Sequence, residues 1–85
     1  MRFEIGQVVR SRAGHDRDEF LLVTGFDGKY VLLCDGKQRP LAKPKRKNPR
    51  HLAATKLTLS VQATQTDRAI RKALNAVAGG QAQGE

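Results

Sequence analysis

The chain has one cysteine, Cys34, no tryptophan, and four aromatic residues, Phe3, Phe20, Phe26 and Tyr30. A lone cysteine makes no internal disulfide and no zinc site without several partners. No apolar run approaches the roughly 18 residues that a membrane span needs. Met1 to Gly6 has neither an apolar stretch of signal-peptide length nor a small-residue cleavage pattern. There is no Ser/His/Asp set, no glycine loop to cradle a phosphate, and no HExxH or CxxC pattern. These absences predict a cytoplasmic, soluble, disulfide-free chain that is not an enzyme and uses no cofactor or metal. Eighty-five residues allow one small domain with a marginal core, to whose stability a binding partner would add.

Acid is missing too, and its absence is local. The net charge is +8, from 16 Lys+Arg and 8 Asp+Glu. The pI is about 10.4 and the mean hydropathy −0.53. Up to Asp35 the two signs nearly balance. Between Asp35 and Asp67 no acid occurs, while Lys37, Arg39, Lys43, Lys45, Arg46, Lys47, Arg50 and Lys56 all fall there. Crowded cations repel one another and cost folding free energy unless an anion neutralises them. A solvated basic loop would need no ligand. A basic domain with clustered Lys and Arg is, however, the expected electrostatic footprint of nucleic-acid binding.

Turn and period signals divide the chain. Asp27-Gly28 and Asp35-Gly36 favour the positive φ angles of tight hairpins. They separate strand-like runs at 7–11, 20–26 and 30–34. A fourth strand is expected over Lys37 to Leu41, bent or ended by Pro40. Residues 45–51 read as loop. Leu57, Leu59 and Val61 alternate with Thr58 and Ser60, which predicts a fifth strand with one buried side. The period then changes: Ile70, Ala73, Leu74 and Val77 form one helical stripe. Thr64 or Thr66 is the expected N-cap, Asp67 complements the helix dipole, and Gly79-Gly80 is the stop. So short a helix must dock its stripe. The expected layout is a barrel over 1–62 including the basic segment 37–50, a docked helix over 63–78, and a flexible tail over 79–85.

The run Gly6-Gln7-Val8-Val9-Arg10-Ser11-Arg12-Ala13-Gly14-His15-Asp16 has a strand, a small residue, a glycine and a polar turn before the next apolar strand. It resembles the KOW motif, with Gly14 at the family's near-invariant glycine. Tyr30 to Leu33, Asp35-Gly36-Lys37, Arg39-Pro40-Leu41, residues 43–48, His51-Leu52 and residues 67–74 extend the likeness over about 5–76. Together they resemble the small bacterial KOW-domain RNA-binding proteins, similar to the large-subunit ribosomal protein family of archaea and eukaryotes. The turn His15-Asp16-Arg17-Asp18-Glu19 departs from several members, which carry a more acidic or glycine-bearing turn. The resemblance implies a mainly β fold, an SH3-like five-stranded small barrel with a short C-terminal α-helix. It also implies binding to RNA, ribosomal RNA above all, on or near the ribosome and its translation machinery.

Phosphate-backbone contact is the expected chemistry. Arg39, Arg46 and Arg50 can fork across phosphate oxygens, while Lys37, Lys43, Lys45 and Lys47 act as point charges. Arg10, Arg12, Gly14 and His51 complete the expected RNA-binding set. Gly14 can supply a positive φ or let a ribose-phosphate approach the backbone, and a plain turn glycine is an equal reading. Three of the aromatics lie in strand-like runs and read as core rather than stacking platforms, so shape and backbone recognition is favoured over base readout. Cys34 reads as a small buried hydrophobe. His15, Asp16, Asp18 and Glu19 could imaginably hold a metal, but solvation or pairing with Arg12 and Arg17 is the expected state. The alternative function is a protein-interaction module of the transcription or translation apparatus.

Overall fold

Residues 3–79 are described by the computed structural model. Strands β1 (Gln7–Ser11), β2 (Phe20–Asp27) and β3 (Tyr30–Cys34) form where the β-rich runs predict them. They are followed by β4 (Lys45–Lys47), a 3₁₀ turn at Pro49–His51, β5 (Leu52–Thr58) and helix α1 (Asp67–Ala78). All strand pairs are antiparallel, and the sheet order is β4-β3-β2-β1-β5. β4 and β5 are its edges, so the ladder does not close. No helix among the described residues is long and apolar enough to cross a membrane.

The two faces of this sheet bury different sets. Val8, Leu22 and Cys34 share one face with Ile70, Leu74 and Val77 of α1, and Phe20, Leu41, Leu57 and Leu59 pack around them. Val9, Leu21, Val23, Val31, Leu33 and Leu52 fill the other, with Phe3 against them. That is why the strands read as continuous apolar runs: both faces are covered. The helix starts where Thr66 Oγ1 accepts the Ala69 N–H at 3.0 Å. Gly79 caps its other end in ordinary right-handed backbone. The tail expected over 79–85 lies, from residue 80 on, outside the described residues.

Two expected strands move. Residues 37–41 form no strand. Asp35 Oδ1 accepts the N–H groups of Lys37 and Arg39, both at 2.8 Å, and Asp67 Oδ1 takes that of Leu41 at 2.7 Å. Pro40 has no N–H to give. The segment's donors are therefore satisfied locally and by the helix, and pairing with β3 passes to β4, within residues expected to be loop. The fifth strand begins at Leu52, well before the point its alternation suggests. Leu57 and Leu59 are half-buried, but Val61 is 72% exposed. A register shift lies between Gln7 and Val9 on β1. There the Thr55 hydroxyl donates to Val8 O at 2.6 Å and Gln7 Nε2 donates to Thr55 O at 3.0 Å, so side chains satisfy part of what the ladder leaves open.

Candidate nucleic-acid interface

The fold brings residues 10–14 against the end of the basic segment expected over 37–50 and against His51. The Arg12 N–H donates to His51 O at 2.8 Å. Lys47 Nζ donates to Ala13 O at 2.9 Å. The β1–β2 loop is thereby laid against β4 and the 3₁₀ turn. Gly14 has φ +87°, which an L side chain rarely adopts, and its carbonyl accepts the Arg17 N–H. A Cβ there would lie 3.6 Å from Asp16 Oδ1 and 3.7 Å from Lys47 Nζ. Asn48 starts the 3₁₀ turn by accepting the Arg50 N–H at 2.9 Å, which sets out Arg50 and His51, both exposed.

Lys47 stands apart from the other cations of the expected set: it is buried and paired. It pairs in register with Val31, on the face filled by Val9, Leu21 and Val23, and is only 7% exposed. Its ammonium is 2.7 Å from Asp16 Oδ1, which also accepts the Ser11 hydroxyl at 2.8 Å. A cation so committed is not free to meet a phosphate. Lys45, on the same face of β4, is 3.5 Å from Asp16 Oδ2, a buried oxygen with no hydrogen-bond partner. Burial raises the Asp16 pKa; hydrogen bonds from Lys47 and Ser11 and the charges of Lys47 and Lys45 outweigh it and hold it at about 2. The partner of Asp16 is therefore β4, not the expected Arg12 or Arg17, and the pair fastens an edge strand to the β1–β2 loop.

The acids account for themselves in the same way. Asp18 pairs with Arg10 at 3.3 Å and Asp27 with Arg46 at 3.2 Å, both exposed pairs worth little in water. Asp35 and Asp67 accept backbone N–H groups. Among the described residues, Arg12, Lys37, Arg39, Lys43, Arg50 and Lys56 then have no carboxylate within salt-bridge distance. All of these except half-buried Arg39 are exposed. They do not form one patch. Arg12, Arg50 and His51 lie around the β1–β2 loop. Arg10 and Lys37 instead line a concavity of about 430 Å³ with Arg71 of α1, together with Asp18, Glu19 and Asp35. Arg71, on the polar side of the helix, extends the cationic surface beyond the expected set.

Cys34 is buried, and its thiol donates to Pro40 O at 3.4 Å. Burial pushes its pKa up, helped by the charges of Asp67 and Asp35 and opposed by a hydrogen bond with Thr24. The three aromatics of the strand-like runs are less buried than expected: Phe26 is 48% exposed, and Phe20 and Tyr30 are half-buried. Phe26 and Tyr30 flank the Asp27-Gly28 turn, where a strand runs out past the core; that position is the signal in the sequence that would have separated them from core residues.

The fold and its basic surface define a small antiparallel β domain with one docked helix. No family model matches the chain, and no curated protein matches it.

Proposed function

We propose that the chain is an RNA-binding protein whose sheet is an SH3-like barrel of the KOW class, binding ribosomal RNA or the ribosome through phosphate-backbone contacts. The observation that carries this reading is the acid-free segment. It contributes exposed Lys43, Arg50 and Lys56, with no carboxylate in salt-bridge distance among the described residues, and the β1–β2 loop joins Arg12 to His51, the neighbour of Arg50 in the chain. Such cations gain most when phosphates neutralise them and condensed counterions are released. The five-stranded antiparallel sheet with one C-terminal helix is compatible with a small β-barrel-like fold. The recognition surface of this reading centres on Arg12, Lys43, Arg50 and His51, shaped by Gly14, with Arg10, Lys37 and Arg71 as a separate second surface.

Filter binding to ribosomal RNA fragments over a range of salt concentrations tests the proposal. The expected result is a steep linear fall of log affinity with log salt. An affinity indifferent to salt would sink it. A second reading, a protein-interaction module, draws on exposed Ile5 and Val61, at 65% and 72%. A partner retained after nuclease treatment in high salt would favour that reading.

A further inference from the structure

A hydroxyl, a carboxylate and an ammonium meet inside the β1–β2 loop. Ser11, Asp16 and Lys47 are all buried. Asp16 Oδ1 accepts the Ser11 hydroxyl at 2.8 Å and the Lys47 ammonium at 2.7 Å. Lys47 also donates to Ala13 O at 2.9 Å, so one side chain of β4 grips the loop at two points. The loop's backbone closes around the cluster: the Ser11 N–H donates to Glu19 O at 2.9 Å and the Glu19 N–H to Asp16 O at 3.0 Å. Exposed cations adjoin it on both elements, since Arg12 follows Ser11 and Arg50 lies in the 3₁₀ turn that follows β4. For stability alone, a buried ion pair is a poor choice, because apolar side chains of similar volume often serve as well or better. Asp16 is a poorer choice still, with a buried Oδ2 that has no hydrogen-bond partner. What the pair adds is direction, because hydrogen bonds between charged groups form at one geometry.

We infer that Ser11, Asp16 and Lys47 are positioning residues, which fix Arg12 relative to Arg50 and His51 so that this surface favours RNA of rigid, folded shape over flexible single strands. The inference rests on the RNA-binding reading and names the class of RNA that its surface takes. The bond from the Arg12 N–H to His51 O, at 2.8 Å, is the joint that the cluster steadies. A folded RNA presents its phosphates at set spacings, and cations already held in place lose little freedom on meeting them. A flexible strand adapts to cations wherever they lie and gains little from their being fixed. Lys47 thus serves phosphate recognition while its own charge stays committed to Asp16.

The test uses the full chain carrying Asp16→Leu and Lys47→Met together. One charge of each sign is removed, so the net charge stays at +8. Ser11 Oγ keeps Ala13 O as an acceptor at 3.0 Å. Binding is measured to an RNA hairpin and to oligouridine of the same length, and amide hydrogen exchange is read at Arg12. The expected result is a folded variant whose Arg12 amide exchanges about tenfold faster or more, with the amides of central strand β2 unchanged. Its affinity for the hairpin should fall about tenfold, while that for oligouridine stays within about twofold. The denser charge of a duplex favours the hairpin for any cationic chain, so the change between variant and wild type decides, not the wild type's preference. Unchanged exchange at Arg12, unchanged hairpin affinity, or equal weakening on both RNAs would overturn the positioning role and leave the phosphate-contact reading standing. Failure of the wild-type chain to bind the hairpin and the oligouridine would overturn both. Should the double variant not fold, Ser11→Ala, which removes only the hydroxyl, decides by the same readouts.

Discussion

Lys47 illustrates how a residue type misleads when its surroundings are unknown. In the sequence it is one cation in a run; in the fold it faces the core and neutralises Asp16. Removing one partner of a buried pair strands the other's charge, which costs about 3–5 kcal/mol. Lys47→Met should therefore lower unfolding free energy by about that amount in urea titration. Lys45→Met should cost under about 1 kcal/mol, since its ammonium is partly exposed and 3.5 Å from Asp16. A Lys47→Met variant as stable as the wild type would show that the pair does not hold β4. The pH dependence follows from the same group. Asp16 has a folded pKa of about 2 against an ordinary 3.8. Its stabilisation is complete above about pH 4 and is lost as pH falls through about 2. The shift corresponds to about 2 kcal/mol. Urea midpoints should drop across that window, and less steeply in Asp16→Asn.

At the scale of elements, the packing of the 35–41 loop on α1 decides what the loop becomes. Gly36 has φ +76°, and a Cβ there would collide with the Asp67 carbonyl oxygen and lie 2.9 Å from the Arg71 amide nitrogen. The glycine thus serves close approach as well as turning. Gly36→Ala should destabilise the chain by about 3 kcal/mol or more, through backbone strain and weakened helix docking. Thermal unfolding followed by circular dichroism checks this, with Gly28→Ala as the control. Gly28 also has positive φ, at +59°, but open space for a Cβ. Equal losses of stability in the two variants would mean that conformation, not the approach to the helix, sets the cost at Gly36.

For the whole molecule, function depends on which cations remain after the internal pairs are formed. Asp16 takes Lys47 and Lys45, Asp18 takes Arg10, and Asp27 takes Arg46. Among the described residues Arg12, Lys43 and Arg50 have no carboxylate in salt-bridge distance, which on the RNA-binding proposal leaves them for phosphates. Replacing these three by Gln should reduce the slope of log affinity against log salt by about 0.7–0.9 for each phosphate that is no longer neutralised. It should leave unfolding free energy within about 0.5 kcal/mol, as expected of exposed sites without partners. Unchanged slope in the triple variant would move the interface to the other cationic surface, around Arg10, Lys37 and Arg71.

Local chemistry was sufficient for much of this protein. The three β-rich runs, the positive φ at Gly14, Gly28 and Gly36, the Thr66 cap and the Ile70-Leu74-Val77 stripe depend on neighbours a few residues away. All could be read from the sequence. The fourth and fifth strands could not, because distant residues complete them: Asp67 draws off the Leu41 amide, and Val31 and Leu33 offer β4 an edge. The basic segment was legible as charge. Its division into an internal strut and exposed cations was decided only when folding set Asp16 against Lys47, 31 positions away, since the worth of a charge depends on burial and on the partner that tertiary structure places beside it.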